Sequence, residues 1–63
     1  MMIKLTKRIT VNGFWTYKNV PNDCNTYAET VKKFNGKQDW FDKKVHRFTV
    51  NGFLYLMEKI KDK

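Results

Sequence analysis

Thr49-Val50-Asn51-Gly52-Phe53-Leu54-Tyr55-Leu56-Met57-Glu58-Lys59-Ile60 admits two readings, and the fold of the chain follows from the choice between them. As a helix over about residues 52–61, it puts Phe53, Leu56, Met57 and Ile60 at i, i+3, i+4 and i+7, and Leu-Met-Glu-Lys are strong helix formers. As a hairpin, Asn51-Gly52 is a two-residue turn between β-prone runs and the chain doubles back as a strand. The same five residues occur earlier: Thr10-Val11-Asn12-Gly13-Phe14 matches Thr49-Val50-Asn51-Gly52-Phe53. A match of that length is too short to establish a duplication. Propensity and periodicity together favour the C-terminal helix, and the second hairpin stands as the alternative.

The earlier copy is less ambiguous. Ile3, Leu5, Ile9 and Val11 alternate with Lys4, Arg8 and Thr10, Asn12-Gly13 follows, and Phe14 to Lys18 is rich in β-formers. A type I′ turn, with positive φ at both central residues, predicts a hairpin over about residues 3–20. Its register sets Val11 against Phe14, Thr10 against Trp15, Ile9 against Thr16 and Arg8 against Tyr17. One face then carries Ile3, Leu5, Ile9, Val11, Phe14 and Val20, as a core face. The other carries Lys4, Thr6, Arg8, Thr10, Trp15 and Tyr17. Lys7 and Lys18 would meet on the core side, which is unfavourable unless they lie at its edge. A longer loop would flip the second strand and bury Trp15 and Tyr17 instead.

Thr26-Tyr27-Ala28-Glu29 reads as a capping box, and Tyr27, Val31 and Phe34 then share one face of a helix over about residues 27–35, stopped by Asn35-Gly36. Lys43 to Val50 alternates as a strand over about 44–50, with Phe48 and Val50 on one side and Arg47 and Thr49 on the other. An extra helical turn over 39–44, capped by Asp39, is also open. The expected fold is α+β: an N-terminal hairpin, a short helix, a strand and a C-terminal helix, or ββαββ if Asn51-Gly52 turns a second hairpin.

The 63 residues are expected to form a single small basic domain, 1–63. A chain of this size cannot spare a large internal cavity, so binding is expected on an outer face. Thirteen Lys and Arg against six Asp and Glu give a net charge of +7. Residues 1–20 hold Lys4, Lys7, Arg8 and Lys18 and no acid, and 43–63 hold six bases against Glu58 and Asp62, with a near-neutral stretch between. Five Phe, three Tyr and two Trp are numerous for this length and are expected to supply most of the core. Abundant Lys and Asn with no Ser suggest AT-rich coding, and hence a phage, a mobile element or a low-GC bacterium. The single cysteine, the absence of an apolar run of about 20 residues and an N-terminus without a signal peptide's apolar stretch point to a cytoplasmic protein and no membrane.

Catalysis is not expected. Serine nucleophiles are excluded, Cys24 and His46 have no neighbours at ligand spacing and nothing pairs them, and Asp39 and Asp42 suit helix capping better than an active-site dyad. No metal and no cofactor are implied. The basic face with interleaved aromatics suits nucleic acid, DNA or RNA: bases stack on Trp15 and Tyr17 while Lys4 and Arg8 meet phosphates. Lys43, Lys44 and Arg47 join that patch if their strand pairs with the hairpin. Lys59, Lys61 and Lys63 suit a solvated helix end, so Trp15→Ala and Arg8→Ala should cost more binding than Lys63→Ala. The expected function is a small nucleic-acid-binding or nucleic-acid-associated regulatory protein. The alternative is a phage-type inhibitor that grips an acidic host protein through the same aromatic and basic surface. A homodimer closing an open sheet edge is a third possibility.

Overall fold

The computed structural model describes residues 2–60. Its elements run β1 (Met2–Val11), β2 (Phe14–Val20), α1 (Tyr27–Lys33), α2 (Trp40–Val45), β3 (Arg47–Val50) and β4 (Phe53–Ile60). The four strands form one antiparallel open sheet in the order β2-β1-β4-β3. The fold is α+β, as the sequence leads one to expect.

The predicted C-terminal helix is not formed. Residues 53–60 are strand β4, and the second hairpin is what the chain adopts. Residue 61, the last of the predicted helix, lies outside the described residues. Asn51 and Gly52 both take positive φ, 51° and 83°, repeating Asn12 and Gly13 at 52° and 81°. Two such residues in succession define a type I′ turn, whose twist matches a hairpin. Strand β4 lies at the centre of the sheet, paired with β1 on one side and β3 on the other. A central strand with both faces partly covered shows no polar alternation, so its apolar run fits a helical period equally well. The strand predicted over 44–50 is also shortened. Lys44 and Val45 belong to α2, and the strand starts at Arg47.

The N-terminal hairpin has the expected register, from Val11↔Phe14 through Leu5↔Val20. Helix α1 begins where predicted. Its N-cap Thr26 accepts a hydrogen bond from the Glu29 N–H at 3.1 Å, and the Thr26 hydroxyl donates to Glu29 Oε1 rather than leaving the carboxylate to the backbone. After the cap residue Phe34, Asn35 takes the positive φ of 55° that stops the helix. Asp39 caps α2 by accepting from the Asp42 N–H at 2.8 Å. Among the described residues no helix is long and apolar enough to cross a membrane.

The core is small. Ile3, Leu5, Phe48 and Met57 are buried from the sheet, with Tyr27, Val31 and Phe34 of α1 packed over them. A seven-residue helix is only about 10 Å long, whereas ten-residue β1 extends about 33 Å. Helix α1 therefore covers one end of the sheet. The expected core face is not covered to its tip: Val11 is exposed, and Phe14 keeps 78% of its surface in solvent. Lys7 and Lys18 do oppose each other on that side. The conflict is relieved by the Lys7 ammonium, which sits 4.1 Å from the Phe53 ring centroid.

The loop between β2 and α1 is tied down through Asn22 and the fully buried Thr30. Asn22 Nδ2 donates to Ile3 O and to Thr30 Oγ1, both at 3.1 Å, and Thr30 Oγ1 donates to Thr26 O at 3.0 Å. Thr30→Val keeps the shape and deletes the acceptor. It is expected to destabilise the fold by about 1–3 kcal/mol, read as a lower urea midpoint with an unchanged slope. On the surface nearby, Lys33 Nζ lies 2.6 Å from Asp23 Oδ1. That hydrogen-bonded ammonium holds the Asp23 carboxyl below its usual range and raises Lys33 in turn. Both groups are exposed, so the pair adds little to stability.

Candidate nucleic-acid interface

Side chains alternate across a sheet, so register decides which residues share a face. Lys4, Thr6 and Arg8 of β1 point away from the side that buries Ile3 and Leu5. Opposite them in register stand Asn19, against Thr6, and Tyr17, against Arg8; Trp15 stands against Thr10. The predicted residues Lys4, Arg8, Trp15 and Tyr17 thus share the face that α1 leaves open. Trp15 is 69% exposed and Tyr17 53%, so neither belongs to the core. The Arg8 guanidinium carbon lies 4.1 Å from the Trp15 ring centroid. This cation–π contact holds both side chains without burying the charge, and leaves the other ring face of Trp15 available.

The remaining predicted residues sit differently. Strand β3 pairs with β4 and not with the hairpin, so the condition for Lys43, Lys44 and Arg47 to join the patch through strand pairing is not met. Arg47 does point to the open face, since it is registered against Leu56, which in turn faces Thr6. Its guanidinium is engaged: Arg47 Nε donates to Asp42 Oδ1 at 2.7 Å, and the group stacks on Phe41 at 4.9 Å. Arg47 therefore anchors α2 to the sheet. Lys43 and Lys44 lie in the last turn of that exposed helix, with the Lys44 ammonium 5.2 Å from the Trp40 ring centroid.

Helix α2 thus borders the open face. Val45, at its end, lines a shallow depression with Lys4, Thr6, Leu56 and Glu58. Register also puts Thr49 and Leu54 on this face. Reading 53–60 as a helix hides Leu54 and Leu56; their parity with Arg47 and Thr49 reveals them once the Asn51-Gly52 turn is taken as a hairpin. Lys4 stands directly across from Glu58. Among the described residues, the strongest positive charge free of an acid on this face is therefore Arg8, beside the two aromatics.

The groups weighed for catalysis are placed elsewhere. Cys24 is a buried free thiol in the β2–α1 loop, and His46 takes a left-handed turn after α2, its ring stacked on Tyr27 at 4.0 Å. Asp39 caps a helix and Asp42 binds Arg47. No group of three or more His, Cys, Asp or Glu among the described residues is placed to hold a metal ion.

No protein-family model matches the chain, and no curated protein and no solved structure is significantly similar to it.

Proposed function

We propose that this protein is a non-enzymatic nucleic-acid-binding protein that takes a single strand across the open face of its sheet. The observation that carries the reading is the Arg8–Trp15 pair with Tyr17 beside it, the two rings solvent-exposed on a sheet face that no described helix covers at that end. Exposed aromatic rings on a rigid sheet stack unpaired bases, and neighbouring cations meet the phosphates that link them. A duplex keeps its bases stacked on each other, so the two rings favour a single strand. Lys4, Arg8, Lys43 and Lys44 supply the phosphate contacts, and Arg47 holds the helix that carries two of them.

Anisotropy of a labelled oligonucleotide across a salt series tests this. Four phosphate contacts on a single strand correspond to a slope of log K against log salt of about −3, from about −0.7 per contact. Binding tighter for the single strand than for the same sequence as a duplex is expected. No binding at low salt, or an affinity indifferent to salt, overturns the reading.

A second reading has its own support. Val11, Phe14 and Phe53 are exposed on the other side of the hairpin tips, and exposed aromatics anchor protein interfaces. On that reading the protein is a phage-type inhibitor of an acidic host protein. One stoichiometric partner retained from a nuclease-treated lysate favours it; loss of all bound material on nuclease treatment favours the first.

A further inference from the structure

We propose that the outer edge of β2 is a self-association surface, at which a second copy of this chain pairs antiparallel about a two-fold axis through Tyr17 and joins two sheets into one. The inference does not depend on the nucleic-acid reading.

The two edges of the sheet differ. The outer side of β3, a four-residue strand, is partly taken by Lys37, which exchanges both backbone hydrogen bonds with Thr49 at 2.8 and 3.1 Å. The outer side of β2 is seven residues long, and no described segment pairs with it. Protective devices on edge strands are proline, bulges, inward-pointing charge and short length. Strand β2 has no proline and its register with β1 is unbroken; its one protective device is Lys18, its only charge, which lies on the side that buries Ile3 and Leu5.

The hairpin also fixes which backbone groups are free. In a two-residue hairpin the residues flanking the turn bond to each other, and every second pair does the same. Phe14, Thr16, Lys18 and Val20 therefore turn their N–H and C=O toward β1. Trp15, Tyr17 and Asn19 turn theirs outward.

The side chains select a copy of the same strand. With Tyr17 opposite Tyr17, Trp15 meets Asn19, Thr16 meets Lys18 and Phe14 meets Val20, so all seven residues find a partner. The exposed Phe14 gains an apolar neighbour, and each Lys18 faces a hydroxyl. Moving the axis to Lys18 sets two lysines directly opposite, which is unfavourable. Moving it to Thr16 leaves Asn19 and Val20 unpaired. The joined sheet brings two sets of Arg8, Trp15 and Tyr17 onto one continuous face.

An edge contact of this length falls short of the roughly 1,200–2,000 Å² of a standard stable interface, so the dimer is reversible. Each copy carries +7, so salt promotes the association by screening, whereas it weakens nucleic-acid binding. The opposite signs let either proposal fail without the other.

Sedimentation equilibrium of nuclease-treated protein at ~0.5 M salt, where the long-range repulsion between the two copies is screened but charges in direct contact still act on each other, is the test. The mass is expected to rise from 7.6 kDa toward twice that value as concentration approaches the millimolar range. Thr16→Glu, which faces Lys18 of the second copy, should lower the dissociation constant roughly two- to thirtyfold, and Thr16→Lys should raise it by as much. Asn19→Pro removes one outward N–H that β1 does not use, and should abolish the dimer while circular dichroism stays unchanged. A monomer throughout the concentration range, Thr16 variants that shift association in the same direction, or an Asn19→Pro protein that folds and dimerises like the parent, overturns the proposal.

Discussion

Replacing both Trp15 and Tyr17 with Ala is expected to weaken single-strand binding by roughly 30-fold at the least, with the fold retained. Each base–aromatic stack is worth about 1–3 kcal/mol, so losing two removes about 2–6 kcal/mol, at about 1.4 kcal/mol per factor of ten. The fold should tolerate the change because both side chains are more than half exposed. Cross-strand pairs of this kind, Trp15 with Thr10 and Tyr17 with Arg8, contribute only about 0.2–1 kcal/mol each. Phe53→Ala is the matched control. It removes an exposed aromatic that also sits beside a cation, Lys7, but on the face that α1 partly covers. If stacking on the open face drives binding, that substitution leaves affinity within about threefold of the parent, a shift of under one kcal/mol. Equal losses from both variants would mean that general aromatic exposure, and not this face, carries the interaction. A double variant that binds like the parent removes the open face from the proposal altogether.

The face was legible in the sequence because its logic is local. Asn12-Gly13 permits one tight turn, the turn sets the register, and the register puts Arg8, Trp15 and Tyr17 on one side. The caps Thr26 and Asp39 were legible for the same reason: each acts on backbone within three residues. What failed was set by tertiary neighbours. Residues 53–60 hold helix formers in a helical period, yet β1 and β3 supply hydrogen bonds on both sides, and that pairing outweighs a propensity difference of a few tenths of a kcal/mol per residue. Nothing local to Ile9, Val11 or Phe14 tells that the covering helix ends short of them; that follows from the length of α1 and where it lies. The sequence alone does not tie Arg47 to Asp42, because that acid comes within reach only when 40–45 coils into a helix.

Phe48→Ala is expected to leave the chain largely unfolded at 25 °C. Phe48 has no exposed surface; its ring stacks on Tyr55 at 5.0 Å and 7° between planes, and tilts against Phe34 at 6.3 Å. Truncating a buried Phe to Ala costs about 3–5 kcal/mol, comparable with the whole stability that a core of this size supplies. Gly36 explains why the ring fits so closely. A Cβ on Gly36 would lie 2.2 Å from Phe48 Cδ2 and 2.7 Å from Cγ, closer than carbon atoms can approach. The backbone after α1 passes against the ring, and only hydrogen at that position leaves room. Gly36→Ala alone should therefore destabilise by about 1–3 kcal/mol or more, as overpacking does. The two effects share one space, so they should not add. Against a Phe48→Leu background, where Cε2 is gone and the two Cδ methyls can rotate away from residue 36 as a rigid ring cannot, the penalty of Gly36→Ala should shrink by about 1 kcal/mol. Urea midpoints of the four proteins measure that coupling. A Phe48→Ala protein with a parental midpoint, or a Gly36→Ala penalty indifferent to residue 48, would mean that the chain after α1 does not pass against this ring.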